Sequence, residues 1–205
     1  MGRWTQTVTD LQALALLYGS VGNVSVTKEV AYLHPAYQAL IAASPFAVLA
    51  TSGPEGLDAS PRGDAPGFVV VEDAHTLLLP DRRGNNRLDS LRNILSDPRV
   101  ALLFLIPGHA ETLRVNGRAT IVTDPDLLER LAVDGKRPAS VLAIDVDTVY
   151  FQCGRAILRS HLWDGARPDA PLPSAGQILA ALSGDAIDGV AYDQALPARQ
   201  RDTLY

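Results

Sequence analysis

The chain has a single cysteine and no long hydrophobic run, and these two features argue against a disulfide-stabilised and a membrane-spanning protein. Cys153 has no intrachain disulfide partner among the 205 residues, so nothing requires an oxidising compartment. We interpret it as a small, buried apolar residue rather than a catalytic thiol. The longest apolar runs, "VALLFLI" and "FAVLA", have strand length and cannot span a bilayer. The N-terminus has no apolar signal-peptide segment. We therefore expect a cytoplasmic protein without a membrane partner.

Positive charge is also scarce, which bears on the class of partner. The chain carries 18 Lys and Arg against 23 Asp and Glu, a net charge of −5. Without a general basic field, a nucleic-acid surface is not expected, although a local arginine cluster can still bind one small anion. The four histidines show no ligand spacing, so no metal site is predicted. The glycine-rich dinucleotide fingerprint, the Walker A loop and the serine nucleophile elbow are absent too.

Short strands separated by turns dominate the middle of the chain. Hydrophobic patterning predicts strands over 46–52, 57–63, 67–72, 76–80, 99–106, 111–123 and 141–153. It predicts helices over 9–19, 35–43, 86–96, 125–133 and 174–183. Because strands do not alternate regularly with helices, a mainly β fold follows, an antiparallel barrel decorated by helices.

We divide the chain into three regions. Residues 1–33 form an N-terminal helical extension, and residues 34–165 form the barrel domain. A linker rich in Pro, Gly and Asp, "DGARPDAPLPSAG", leads into residues 166–205. We interpret this last region as a C-terminal arm that packs on the barrel or on a neighbouring subunit.

Two segments have the residue types that hold a phosphate monoester. Ser60 and Arg62 end one predicted strand, where a hydroxyl and a guanidinium could share one anion. An exposed, polar strand end explains the same pair equally simply. In the turn "DRRGNNR", Gly84 allows close approach of a ligand, and Asn85 or Asn86 could cap the following helix. Free amides at that helix start would then face an anion neutralised by the turn's arginines (Arg82, Arg83 and Arg87). The alternative is a solvated loop.

Other candidates are weaker individually. Arg114 and Arg159 lie on or beside predicted strands, where isolated charges usually face water. Trp163 could stack on a planar ring or cover an edge of the barrel.

Taken in order, these segments resemble a known family. The series "ASPRGD", "TLLLPDRRGNNRLDSLRNILSDPRVALLFLIPG", "ETLRVNGRATI" and "CGRAILRSHLW" is similar to the pyridoxamine 5′-phosphate oxidase-related family, especially its FMN-binding bacterial branch. The resemblance runs from about His34 to Trp163. It implies a six-stranded antiparallel Greek-key split β-barrel that forms a homodimer, with one FMN in each of two clefts at the subunit interface.

The resemblance also implies a set of cofactor-binding residues. Ser60, Arg62, Asn86 and Arg87 fall at the phosphate positions, and Thr112 falls where the oxidase places a glutamine near the flavin. The oxidase has Ser-Arg-Lys where this chain has Asn-Asn-Arg, so Arg83 could supply the missing cation. Arg159, Ser160 and Trp163 complete the cleft from the other chain. The remaining implied cofactor contacts are Gly63, Leu79, Pro80, Asp81, Asn85 and Arg114.

The function that follows is that of an FMN-dependent oxidoreductase acting on an unknown small substrate. No side chain is assigned as a catalytic acid or base, because the flavin carries the reaction. The alternative is a carrier or sensor on the same barrel that binds flavin, deazaflavin or haem without turnover. His161 is the candidate axial ligand for haem.

Overall fold

The computed structural model describes residues 4–165 and 170–205, and the side chain of Val24 is outside this description. The first three residues of the predicted N-terminal extension, and residues 166–169 of the predicted linker and arm, lie outside the described residues. The described helices are α1 Leu11–Tyr18, α2 Asn23–Thr27, α3 Pro35–Ala43, α4 Asp89–Ser96, α5 Pro125–Arg130, α6 Arg155–Ser160, α7 Ala175–Ser183 and α8 Gly189–Asp202.

Seven strands form one antiparallel sheet, in agreement with the predicted mainly β class. They are β1 Phe46–Gly53, β2 Gly56–Gly63, β3 Val70–Val71, β4 Thr76–Asp81, β5 Arg99–Leu105, β6 Thr112–Val122 and β7 Ser140–Gln152. Their order in the sheet is β2-β1-β5-β6-β7-β4-β3. Within the described residues no ladder joins the edge strands β2 and β3, so the hydrogen-bonded sheet is open. The six-stranded Greek-key split barrel therefore stays a prediction.

The main core lies on one face of the sheet because side chains alternate along each strand, and a smaller cluster of Leu78, Leu131 and Val141 lies apart from it. In β1 and β5 the buried positions are every second residue, including Leu49, Leu102 and Phe104, each at most 1% exposed. Ile41 of α3 and Ile94 of α4 belong to the same buried cluster. Burying a side chain of this size stabilises the fold by about 1.5–3 kcal/mol. Helices α3 and α4 thus pack on this face of the sheet.

Local structure departs from the sequence predictions in several places. The predicted strand over 67–72 contains only the two residues of β3. The helix predicted over 86–96 begins later, at Asp89. Arg159, expected on or beside a strand, lies in helix α6. Cys153, expected to be buried, is exposed just after β7. The tail after residue 184, which was not assigned a helix, contains α8.

The terminal helices have little contact with the sheet. No residue of α1 or α8 is buried. Helices α7 and α8 pack against each other: Gly176 and Gly189 approach closely, and the Gly176 N–H donates to the Asp193 carboxylate at 2.8 Å. The predicted three-region division stays a prediction. Among the described helices, none is both long enough and apolar enough to cross a membrane.

Candidate functional site

A cleft of about 840 Å³ opens where the ends of β2 and β4 meet the start of α4. We call it the basic cleft; its walls are the end of β2, residues 80–91 and the loop that leads into β7, with Tyr205 at its edge. The antiparallel ladders place Gly63, the last residue of β2, opposite Phe46 of β1. Nine of the fifteen predicted site residues line this cleft: Ser60, Arg62, Gly63, Pro80, Asp81, Arg83, Asn85, Asn86 and Arg87.

Ser60 and Arg62 are held together on one face of β2. They are two residues apart, so strand alternation points both side chains the same way. The Arg62 Nη1 donates to the Ser60 hydroxyl oxygen at 2.6 Å and to the Pro61 carbonyl oxygen at 2.9 Å. A proline fits here because β2 is an edge strand. The pair therefore presents a guanidinium and a hydroxyl side by side at the cleft wall.

The loop over residues 82–88 has an unusual backbone. Asn86 and Leu88 have φ angles of 58° and 61°, in the left-handed region. Asparagine tolerates this conformation, whereas for a leucine it is strained. Leu88 occupies the N-cap position of α4 and provides no side-chain cap. The prediction that Asn85 or Asn86 caps the helix is wrong, because the Asn85 Oδ1 instead accepts from the Arg87 N–H at 3.1 Å within the loop.

The three arginines of this loop have different environments. Arg82 is mostly buried and bonded to Asp64 at 2.9 Å. Arg87 pairs with Asp89 at 2.8 Å on the surface, a type of contact that contributes little and is easily exchanged. Arg83 is exposed and makes no hydrogen bond or ion pair within the described part of the chain. Arg83 and Arg87 are therefore available to a ligand, while Arg82 is committed to the fold.

Gly84 lies between these arginines, and its backbone does not itself require glycine. A Cβ placed there meets nothing within 4 Å, and φ is not in the left-handed region. The close approach of a ligand that the sequence predicts at Gly84 therefore stays a prediction.

The electrostatics of the basic cleft oppose those of the whole chain. Six cationic side chains line it, against three carboxylates from Asp58, Asp81 and Asp89, although the chain carries a net charge of −5. The cations are Arg62, Arg82, Arg83, Arg87, Lys136 and Arg137. A concave site with an excess of one sign of charge concentrates ligands of the opposite sign. The cleft is thus suited to an anion of small size.

The cleft carboxylates are each constrained by neighbours. Asp58 accepts a hydrogen bond from the Ser90 hydroxyl at 2.8 Å, which fastens α4 to β2. Burial raises the pKa of Asp81 above its ordinary value of 3.8, and the positive charge of Arg62 opposes this rise. The Asp81 carboxylate is therefore partly desolvated, and the nearby Arg62 charge favours its ionised form.

The other predicted site residues lie outside the basic cleft. Leu79 is buried in the core at 1% exposure. Thr112, Arg114, Arg159, Ser160 and Trp163 are not among the cleft-lining residues.

Those five residues lie in a second region, around the start of β6 and α6. The Trp163 Nε1 donates to the His109 carbonyl oxygen at 2.8 Å, and the Arg114 Nη1 donates to the Tyr150 hydroxyl at 2.9 Å. Gly154 packs closely against Ala110 and so brings α6 beside the segment that precedes β6. The Ser160 hydroxyl donates to the Ile157 carbonyl oxygen at 3.1 Å. We call this group the β6–α6 patch.

Sequence reasoning missed several cleft residues. Lys136 and Arg137 follow α5 and precede β7, and this basic pair before a strand was a signal that could have been used. Asp58 shares its strand face with Ser60 and Arg62 and was predictable by alternation. Tyr205 gave no signal, because its place in the cleft depends on how the C-terminal tail folds back.

The histidines show no metal-binding arrangement. His161 lies in the left-handed region at φ 51°, and its Nδ1 is 2.8 Å from an Asp164 oxygen. It does not line the basic cleft. Within residues 4–165 and 170–205, no three His, Cys, Asp or Glu side chains form a group that could hold a metal ion.

The part of the chain that forms the sheet matches the model of a known protein family. The family model for pyridoxamine 5′-phosphate oxidase matches residues 33–153, and the chain belongs to this family. The match ends just after β7 and includes the end of β2 and the loop over residues 82–88. A search of curated proteins gave no match.

Solved structures with a similar fold include proteins from several bacteria. HupZ from Group A Streptococcus is 18% identical, with a TM-score of 0.48 over 58% of this chain and 94% of that chain. General Stress Protein 26 from Bacillus anthracis is 19% identical, with a TM-score of 0.38 over 55% and 88%. A FAD-binding protein from Mesorhizobium loti is 13% identical, with a TM-score of 0.40 over 58% and 95%.

Proposed function

We propose that the protein binds FMN in the basic cleft and acts as an FMN-dependent oxidoreductase on a small substrate. The observation that carries this proposal is the hydrogen-bonded Ser60–Arg62 pair in a cleft with six cationic side chains, within a chain of net charge −5. Membership of the pyridoxamine 5′-phosphate oxidase family supports the same class of ligand.

The donors of the cleft suit a phosphate monoester. Guanidinium groups donate in a planar fork that matches phosphate oxygens, and a hydroxyl adds a further donor. Arg62 and Ser60 would hold the phosphate from β2, and Arg83 and Arg87 would hold it from the facing loop. The bond between Arg62 and Ser60 keeps the first pair oriented before the ligand arrives, which lowers the entropy lost on binding.

The chemistry would belong to the cofactor, and the chain would position it. Bound FMN supplies hydride transfer between the substrate and an acceptor. The side chains of the cleft bind and orient the flavin, and none is assigned as a catalytic acid or base. Asp81 lies in the cleft beside Arg62, where its carboxylate limits the local positive charge.

We propose further that the protein is a homodimer and that the β6–α6 patch completes the cleft of the other subunit. Thr112, Arg114, Arg159, Ser160 and Trp163 do not line the cleft of their own chain, and contacts of Trp163 with His109 and of Gly154 with Ala110 bring α6 beside the segment before β6. One patch that contributes to a neighbour's site would account for both facts. Light scattering during size-exclusion chromatography of the FMN-loaded protein should give the mass of two chains.

The test is a titration of the purified protein with FMN and with riboflavin, followed by flavin fluorescence. Arg62→Ala should weaken FMN binding by about 10- to 150-fold, the range for a hydrogen bond to a charged group. Riboflavin lacks the phosphate and should bind Arg62→Ala and wild type alike. Arg118→Ala is the matched control, because Arg118 is an exposed arginine on β6 outside the cleft.

Two results would contradict the proposal. Equal losses for FMN and riboflavin in Arg62→Ala would reject the phosphate role of this arginine. A haem spectrum in the isolated protein, with no affinity for FMN, would replace the flavin assignment by the haem-binding alternative.

A further inference from the structure

The C-terminal tail returns to the basic cleft through a single aromatic side chain. Tyr205 lies three residues beyond the end of α8, and it lines the cleft. Its hydroxyl donates to the Asp64 Oδ1 at 2.5 Å, a contact between residues 141 positions apart in the chain. The tail is therefore attached to the wall of the site, far in sequence from the elements that form that wall.

Three side chains form this attachment, which we call the Tyr205 clasp. Asp64 accepts from the Tyr205 hydroxyl with one carboxylate oxygen and from the Arg82 Nε with the other, at 2.9 Å. The Arg82 guanidinium also lies 5.7 Å from the centre of the Tyr205 ring and donates from Nη1 to the Leu131 carbonyl oxygen at 3.0 Å. The side chains of Asp64 and Arg82 are only 6% and 18% exposed. Each member of the clasp thus restrains the other two.

The clasp lies between the proposed phosphate-binding segments. Asp64 follows β2 directly and is two residues beyond Arg62, and Arg82 immediately precedes Arg83. A bond from Asp64 to Arg82 therefore sets the separation between the end of β2 and the loop that carries Arg83. Because Tyr205 bonds Asp64 and covers Arg82, its removal would loosen this separation without removing any proposed phosphate donor.

The clasp is also positioned to hold α8. No residue of α8 is buried, so little apolar surface fixes this helix to the sheet. A hydrogen bond to a carboxylate that is itself mostly buried is stronger than a surface contact. Docking of the tail at Asp64 accordingly adds an attachment to the sheet domain to the packing of α8 on α7.

We infer that Tyr205 is a positioning residue of the cleft and that its docking at Asp64 and Arg82 is coupled to anion binding. This inference rests on the proposed function, because FMN is the anion used to probe it. Coupling is reciprocal: a docked Tyr205 favours phosphate binding, and bound phosphate favours the docked Tyr205 to the same degree. Tyr205 itself is not proposed to touch a reacting atom.

The test compares Tyr205→Phe with Tyr192→Phe in the full-length protein. Both variants lose only a phenolic hydroxyl, and Tyr192 lies on α8 outside the cleft, with its ring 4.5 Å from the Arg199 guanidinium. Hydrogen–deuterium exchange of residues 189–205 is measured without ligand, with FMN and with riboflavin. Affinities for FMN and riboflavin are measured in parallel.

Without ligand, Tyr205→Phe should exchange about tenfold faster over these residues, the effect of losing one charged hydrogen bond. FMN should slow exchange there in wild type and in Tyr192→Phe, but not in Tyr205→Phe. Tyr205→Phe should also weaken FMN several-fold and leave riboflavin unchanged, a difference that simple destabilisation of the fold would not produce.

The alternative outcomes separate this inference from the proposed function. If wild type binds FMN, and Tyr205→Phe behaves as Tyr192→Phe in exchange and affinity, the inference is overturned and the proposed function stands. Equal weakening of FMN and riboflavin would also overturn the positioning role. A wild type that binds no FMN overturns the proposed function and the coupling together, even if the ligand-free exchange shows that Tyr205 docks.

Discussion

Arg82 and Arg83 are neighbours in the sequence with opposite roles in the structure. Arg83→Ala should weaken FMN at least about tenfold and change the free energy of unfolding by less than about 0.5 kcal/mol, because it removes an exposed, unbonded cation. Arg82→Ala should lower the free energy of unfolding by about 1.5–3 kcal/mol, because it leaves Asp64 without its cation. Urea unfolding with FMN titration measures both. Equal destabilisation by the two variants would contradict this assignment.

The sequence predicted that one arginine cluster binds an anion. It did not predict which of these arginines are bonded within the fold and which are available to a ligand. The motif "DRRGNNR" gives three cations in six residues. Which of them the fold uses depends on Asp64 and Leu131, and both are distant along the chain. Pairings of this kind are set by tertiary packing, so local residue types could not have distinguished Arg82 from Arg83.

The environment of Asp97 leads to a prediction about the stability of the fold at low pH. A hydrogen bond from the Arg99 side chain holds the pKa of Asp97 at about 2, below its ordinary value of 3.8. Because the pKa of Asp97 is lower in the folded than in the unfolded protein, the ionised carboxylate stabilises the fold at pH values above the unfolded pKa. This stabilisation is lost as the pH falls from about 3.8 toward about 2. Asp97→Asn should therefore unfold with a shallower dependence on pH in this window. The urea midpoints of wild type and Asp97→Asn between about pH 5 and about pH 2 measure this dependence. Identical slopes of midpoint against pH would contradict the role of Asp97.

At the scale of elements, the paired strands β6 and β7 depend on one glycine. The register between them shifts at Asn116 and Gly117, where a Cβ on Gly117 would lie 2.3 Å from the Asp145 carbonyl oxygen. Gly117→Ala should lower the free energy of unfolding by about 1–3 kcal/mol, because backbone atoms must move apart. Urea unfolding is the measurement.

Gly84→Ala is the matched control for Gly117→Ala. Its Cβ would meet nothing within 4 Å, so its stability should equal that of wild type. Equal stability of the two variants would show that the backbone at Gly117 adapts without cost. A loss of stability at Gly84 would show that the cleft loop is less open than its geometry indicates.

The end of helix α4, which has a clear local sequence signal, was predicted correctly, whereas its start, which has none, was not. Asp97-Pro98 ends α4 as expected, with Asp97 in an extended conformation, because a residue before proline avoids helical dihedrals. The start of the same helix was predicted three residues too early. Leu88 at its N-cap offers no side-chain acceptor, so the asparagines before it appeared to be the better caps.

At the scale of the molecule, the mainly β class and the family followed from the order of the segments. The strand ladders depend on hydrophobic alternation, which is visible in the sequence, and the matched region covers them from β1 to β7. The composition of the basic cleft was only partly predictable. Lys136, Arg137 and Tyr205 reach it from the loop before β7 and from the tail, and their convergence is a property of the folded chain.

The phosphate of FMN is proposed to bind in the basic cleft between the end of β2 and the loop over residues 82–88. A crystal structure of the protein soaked with excess FMN tests it most directly. We expect phosphate density within hydrogen-bonding distance of the Arg62 guanidinium and the Ser60 hydroxyl, with Arg83 or Arg87 on its other side. Flavin bound elsewhere, or a basic cleft without density at saturating FMN, would contradict it.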